Sequence, residues 1–268
     1  MIRLVVSDVD GTLVRKDKSL SPHVIAAVQR LREADVPFTL ISARPVSGVM
    51  PLVAPLGIDL PLAAINGGII FRPDGSVIST HLIDPQIVRG VLDIVGDAPI
   101  DRWLFADGRW YASSDQGVHV EHERVASNQA PTVRGDFDDL VDKAEKLTFV
   151  SDDADEMKTI LAQLQAAFGA QATIAQSQSY YIDVTAQAAN KGDGVAELAR
   201  MLGVDLADTL VLGDMFNDLP MFGRAGLAVA MGQAPDAVKA EADFVSSSNE
   251  EDGVAHAIDA FILPKVTA

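Results

Sequence analysis

Apolar positions along the chain follow one rhythm at its two ends and a different one in between. Ile2-Arg3-Leu4-Val5-Val6-Ser7 is short, β-branched and nearly continuous, which predicts a buried strand. After a polar loop, Ser21-Pro22 sets an N-cap residue before proline at the first helical position. Val24, Val28 and Leu31 then recur at i, i+4, i+7 and mark one helical face. Phe38-Thr39-Leu40-Ile41 predicts a second strand that ends at Ser42. Pro45 opens a second helix with Val46, Val49, Met50 and Val53 inward. Strand and helix alternating at this spacing predict a parallel sheet with helices on its faces.

The rhythm changes after Asn66-Gly67-Gly68. Pro73-Asp74-Gly75 and Asp107-Gly108 are turn signals between short extended pieces. Helices are expected from near Pro85 and near Asp153, the second with Met157, Ile160, Leu161, Leu164 and Phe168 on its apolar side. From Asn190 the first rhythm returns, with a helix carrying Val195, Leu198, Ala199 and Leu202. The strand Thr209-Leu210-Val211-Leu212 ends at Gly213-Asp214, and alternation continues through Leu227-Ala228-Val229 and Phe244-Val245 to a last helix ending near Leu263. The predicted architecture is α/β: a Rossmann-like parallel-sheet core formed by residues 1–82 and 187–268, with an inserted α+β cap over residues 83–186.

Composition narrows the function classes. Nearly half the residues are apolar, which marks a globular chain, and 268 residues can bury a substantial core. No stretch approaches the roughly 18 apolar residues of a membrane helix. Met1 to Val6 lacks the basic start and long apolar core of a signal peptide, and there is no cysteine, so a cytoplasmic location is expected. The net charge of −17 disfavours nucleic acids and anionic membranes as partners. It also repels phosphorylated metabolites, so any phosphate site must concentrate positive charge locally.

Three polar clusters fall at the C-terminal ends of predicted core strands: Asp8-Val9-Asp10-Gly11-Thr12, Ser42-Ala43-Arg44 and Gly213-Asp214-Met215-Phe216-Asn217-Asp218. Open α/β sheets bind ligands at that edge. A fourth, Asn190-Lys191-Gly192, sits where a helix begins. Asp8 and Asp10, two apart, are close enough to raise each other's pKa, leaving one ionised as a nucleophile and the other protonated as a general acid. An ordinary Asx turn is the competing reading. A calcium loop is not, because glycine falls at loop position 4 instead of 6 and Ser19 replaces the closing acid. The oxygen-rich third cluster suits Mg²⁺, or else caps the following helix. Ser42 could likewise be a cap, and Lys191 a solvated lysine. A phosphate dianion 4 Å from a carboxylate is repelled by about 8 kcal/mol at an effective dielectric near 20. Mg²⁺ on Asp8 and Asp214, with Lys191 on the phosphate, supplies three offsetting charges.

These four motifs, in this order, resemble the haloacid dehalogenase superfamily, and the insert after Asn66-Gly67-Gly68 resembles the type IIB cap of its Cof-like sugar-phosphate phosphatases. The resemblance spans essentially the whole chain. It implies Asp8 as nucleophile, Asp10 as general acid and then base, and Ser42, the Ala43 N–H, Lys191 and Asn217 on the phosphate. It also implies Mg²⁺ held by the Asp8 carboxylate, the Asp10 backbone carbonyl and Asp214, with Asp218 supporting ligand waters. Arg44 and Asn66 are candidate substrate contacts, although Arg44 could instead brace its loop. The second motif departs from the family's usual Thr-Gly-Arg, but Ser-Ala-Arg keeps the hydroxyl and the N–H.

The implied activity is Mg²⁺-dependent hydrolysis of a small phosphorylated metabolite, a sugar phosphate by resemblance or a compound such as pyridoxal phosphate, by a monomer or homodimer. A phosphomutase or phosphotransferase using the same aspartyl-phosphate is the alternative. An intact Asp8/Asp10 pair argues against a non-catalytic phosphosugar sensor. His119-Val120-Glu121-His122 has helical metal-ligand spacing but is expected on a solvated face. Trp103, Phe105, Trp110 and Tyr111 are expected in the core of the cap.

Overall fold

A computed structural model describes residues 1–262. In chain order the elements are β1 (Leu4–Ser7), α1 (Pro22–Glu33), β2 (Phe38–Leu40), α2 (Val46–Leu56), β3 (Leu62–Ala64), β4 (Ile69–Phe71) and β5 (Val77–Thr80). The middle of the chain forms α3 (Pro85–Val95), β6 (Asp101–Ala106), β7 (Arg109–Ala112), α4 (Val120–Ser127), β8 (Thr132–Val133), β9 (Ala144–Val150), α5 (Ala154–Phe168), β10 (Ala172–Gln178) and β11 (Tyr181–Ala186). The remainder forms α6 (Lys191–Leu202), β12 (Thr209–Gly213), α7 (Leu219–Phe222), β13 (Leu227–Ala230), α8 (Asp236–Lys239), β14 (Phe244–Val245) and α9 (Gly253–Phe261). Leu263, the expected end of the last helix, lies outside the described residues.

Both chain ends build one parallel sheet in the order β14-β13-β12-β1-β2. Because successive strand side chains point to opposite faces, Val5 joins Leu40, Leu212 and Val229 under α1, α2 and α9. Leu4 and Val6 face the other way, with Val211, Ala228 and Ala230 under α6 and α7. A small antiparallel sheet, β3-β4-β5, leads from the core into the cap. The cap is a six-stranded mixed sheet, β10-β11-β9-β6-β7-β8.

One face of the cap sheet carries Leu104, Leu147, Phe149, Ile182 and Val184 against Val88, Val91, Met157, Ile160 and Leu164 of α3 and α5. The other face carries Trp103, Phe105, Trp110 and Tyr181 together with buried polar residues Lys146, Thr148 and Asp183. That polar-bearing face, covered by α4, is the one turned toward the core: Lys146 Nζ donates to the Ala43 carbonyl at 3.0 Å. Asp107 and Gly108, both at positive φ, form the tight turn between β6 and β7.

Candidate active site

Three of the predicted clusters lie where core strands end, and the fourth lies at the start of α6. β1 delivers Asp8, which is 5% exposed. Gly11, three residues on, has φ +78°, and a Cβ there would stand 2.2 Å from the Asp214 carboxylate. The turn thus requires glycine for both conformation and space. β12 delivers Asp214, and Thr12 Oγ1 donates to its Oδ1 at 3.2 Å. Asn190 caps α6 by accepting from the Asp193 N–H at 2.9 Å, which starts the helix at Lys191. From that first turn Lys191, 1% exposed, donates to Asp8 Oδ1 and to Asp218 Oδ1, each at 2.5 Å.

The carboxylates of Asp8, Asp214 and Asp218 offer oxygens within 4.8 Å of one another, all buried. Burial raises the pKa of Asp8, against the pull of Lys191, and the Asp218 charge raises it further. Burial followed by Asp218 and Asp8 likewise raises Asp214 well above the ordinary range. Lys191 shifts upward despite burial, because Asp218 and Asp8 hold its proton. One lysine among three buried acids leaves a charge deficit that a hard divalent cation would fill, and the oxygen-only donor set fits Mg²⁺. Asp218 is largely committed already, because its Oδ2 accepts from the Asp214 and Met215 N–H groups at 2.8 and 2.9 Å.

Asp10 differs from its expected state. The sequence spacing predicts that Asp8 and Asp10 raise each other's pKa, and the resemblance implies that the proton sits on Asp10. In the structure Arg44 Nε and Nη2 grip the Asp10 carboxylate at 2.6 and 2.7 Å, and Lys18 Nζ adds a third contact at 2.6 Å. Burial pushes Asp10 up, but these two cations outweigh it and hold the carboxyl well below its usual range. Arg44 also donates to the Gly48 carbonyl at 3.0 Å, so this side chain braces Asp10 and α2.

Ser42 accepts from the Arg44 N–H at 3.1 Å, which leaves its hydroxyl hydrogen free to donate. The Ala43 N–H has no acceptor among the described residues. Asn217 Nδ2 donates to Asn66 Oδ1 at 3.2 Å, and Asn217 Oδ1 is buried without a partner. Asp8, Asp10, Lys18, Ser42, Ala43, Arg44, Asp214 and Asn217 line one cavity of about 50 Å³, whereas Asn66 lies behind Asn217.

The cap closes this cavity with His122, Glu123, Lys146, Ser177, Gln178 and Tyr181, of which the sequence singled out only His122, and that for a solvated face. His122 is half-buried, not on a solvated face. Its Nδ1 lies 3.5 Å from the Tyr181 hydroxyl, and burial, then Lys18, lowers its pKa to about 4. His119 instead stacks on Tyr180, with ring centroids 3.7 Å apart. Trp103, Phe105 and Trp110 are buried in the cap core and Tyr111 packs partly against it. One sequence signal did mark the cap side: β9 reads Ala-Glu-Lys-Leu-Thr-Phe-Val, and a lysine inside so apolar a strand demands a buried partner.

A family model described as haloacid dehalogenase-like hydrolase matches residues 5–258 of the chain. A candidate phosphatase of Haemophilus influenzae is 29% identical over 258 residues, covering 95% of this chain and 96% of that protein. A haloacid dehalogenase-like hydrolase from Bacteroides thetaiotaomicron superposes with a TM-score of 0.83 at 25% identity, over 97% of this chain and 99% of the other. A subclass IIB sugar phosphatase shares the fold, with a TM-score of 0.83 and 24% identity over 97% and 98% of the two chains.

Proposed function

The chain belongs to the haloacid dehalogenase-like hydrolases as a phosphatase of that family, and on that premise we propose that it hydrolyses sugar phosphates through an aspartyl-phosphate on Asp8, with Mg²⁺ as cofactor. The observation that carries this reading is the convergence of Asp8, Asp214 and Asp218 around Lys191 beside the free Ala43 N–H and Ser42 hydroxyl. Asp8, Asp214 and the Asp10 carbonyl would hold the metal, which supplies Lewis-acid neutralisation of the phosphate charge. The sugar-phosphate assignment draws on the fold shared with the subclass IIB sugar phosphatase and on the polar cap residues over the cavity.

The chain's own groups divide the work. Lys191, the Ser42 hydroxyl, the Ala43 N–H and Asn217 fix the phosphoryl oxygens, which aligns phosphorus with the Asp8 carboxylate for in-line attack. Asp10 must then hold a proton for the leaving oxygen. The dianionic substrate raises its proton affinity, opposing the depression imposed by Arg44 and Lys18. Once the alcohol departs, those same cations favour ionised Asp10, the form that takes a proton from water attacking the aspartyl-phosphate. The closed cap keeps bulk water away from the first step.

The test is phosphate release from a panel of phosphate monoesters, with Mg²⁺ or EDTA. Wild type should release phosphate only with metal, and Asp8→Asn should lose at least about a thousandfold while keeping its circular dichroism spectrum. Substantial turnover by purified Asp8→Asn would overturn the covalent mechanism.

A further inference from the structure

The cap half of the cavity holds buried charge for which neither folding nor the phosphoryl-transfer steps has a use. Glu123, from α4, is 6% exposed and faces the cavity that Asp8 and Asp10 line from the core side. Its carboxyl has no hydrogen-bond or ion-pair partner among the described residues. Burial pushes it up to about 7, which Lys146 only partly offsets. The other buried residues of that helix are Val120, Ala126 and Ser127, and the Ser127 hydroxyl is satisfied by donating to the Glu123 backbone carbonyl at 2.7 Å. An acid at this position costs stability unless something outside the fold satisfies it.

Lys146 stands beside it, 5% exposed, above the Phe105 ring at 4.5 Å. One of its three protons goes to the Ala43 carbonyl at 3.0 Å, and its ion-pair partner is Asp183 at 3.7 Å, not Glu123. At least one ammonium donor therefore remains for a ligand. Ser177, 9% exposed, also lines the cavity, with its hydroxyl unpartnered among the described residues.

The pair constrains the chemistry of what enters. An ionised carboxylate only accepts hydrogen bonds and an ammonium only donates them. A hydroxyl satisfies both, donating to Glu123 while accepting from Lys146. An amine on the ligand would be repelled by Lys146 and a carboxylate by Glu123. An alkyl or aromatic group would leave both charges buried without a partner.

We propose that Glu123 and Lys146 jointly bind a hydroxyl of the leaving alcohol, so that the cap selects phosphate esters of polyhydroxylated compounds by that contact. This inference rests on the phosphatase reading above. A site built to hydrogen-bond a substrate hydroxyl rejects the analogue lacking it by large factors, about 10⁴–10⁵ where the contact is fully buried.

The experiment compares kcat/KM for matched esters: glycerol 1-phosphate against propyl phosphate, and a hexose 6-phosphate against its monodeoxy derivatives, with 2-aminoethyl phosphate as the charged control. Wild type should prefer at least one hydroxylated ester over its deoxy partner by about a hundredfold or more. Glu123→Ala should bring that ratio to within about threefold of unity, and the isosteric Glu123→Gln should reduce it by about tenfold. Equal rates for every hydroxylated and deoxy pair in wild type would overturn the inference without any variant. So would a ratio unchanged in soluble, folded Glu123→Gln. Preference for 2-aminoethyl phosphate would assign Glu123 to an ammonium and overturn it as well. If wild type hydrolyses none of these esters, nor p-nitrophenyl phosphate, the phosphatase reading fails first and this inference falls with it.

Discussion

Asp214 shows at the level of one side chain how the site trades stability for chemistry. Burial first, and then the neighbouring Asp218 and Asp8 charges, raise its pKa against the pull of Lys191. Asp214→Asn should therefore raise the melting temperature in EDTA by about 2–4 °C, the shift expected for roughly 1 kcal/mol in a chain of this size. The same change should remove most of the stabilisation by added MgCl₂, read by thermal melts with and without metal. Arg44 acts in the opposite direction, holding Asp10 ionised. Arg44→Met should raise the Asp10 pKa, move the acid limb of the kcat–pH profile upward by about one unit, and lower kcat by about a hundredfold. An acid limb that stays put would show that Asp10 does not govern it.

Among the elements, α2 and α4 decide how the cap meets the core. Pro51 and Pro55 lie inside α2, where each costs about 3 kcal/mol by local rules. The helix persists because Val49, Leu52, Val53 and Leu56 are buried on its inner side. Gly48 lies where α4 crosses it, and a Cβ there would stand 2.2 Å from the Ala126 carbonyl. Next to it Ser47 Oγ donates to the Ser127 carbonyl at 2.6 Å and accepts from Gln129 at 3.1 Å. Gly48→Ala should favour α2 itself by up to about 1 kcal/mol on propensity, yet hold α4 away from the core. The expected outcome is a melting temperature equal to or above wild type with kcat/KM reduced at least about tenfold. A parallel loss of both would mean that the contact supports the fold and not closure.

Across the whole molecule, cap and core close on a cavity of about 50 Å³. Ligand pockets run to about 300 Å³ or more, so admitting a substrate requires the cap to withdraw. Closure also concentrates charge, and Glu123 makes that visible in stability. Its folded pKa, raised to about 7 by burial, exceeds its ordinary 4.5, so the folded state binds the extra proton between those values. Its contribution is intact below about pH 4.5 and is lost as pH rises through about 7. Glu123→Gln should match wild type in urea denaturation at pH 4.5 and exceed it at pH 8, by at most about 3 kcal/mol. A difference that does not grow with pH would place the carboxyl in a better-solvated setting.

How much of this was legible beforehand depends on the range of the interactions involved. The strand β1, the capped start of α1 and the glycine after Asp10 follow from neighbours within a few residues, so periodicity and turn chemistry reveal them. The predicted clusters converge because parallel strands all end at one edge, a rule of topology that survives translation from sequence. The state of Asp10 did not follow, since spacing places Asp8 beside it but cannot show that Arg44, 34 residues away, grips its carboxylate. Glu123 carries no local signature either, and Lys146 only that of a charge inside an apolar strand. They come to line the cavity only because strand alternation turns Lys146 toward the core, and because α4 packs between that face and α2. Sequence alone determined the fold class, the sheet edge where the polar clusters gather and the motifs upon it. Tertiary structure decided which charges pair and which cap groups line the cavity, because Coulomb and hydrogen-bond energies depend on distances that only long-range packing sets.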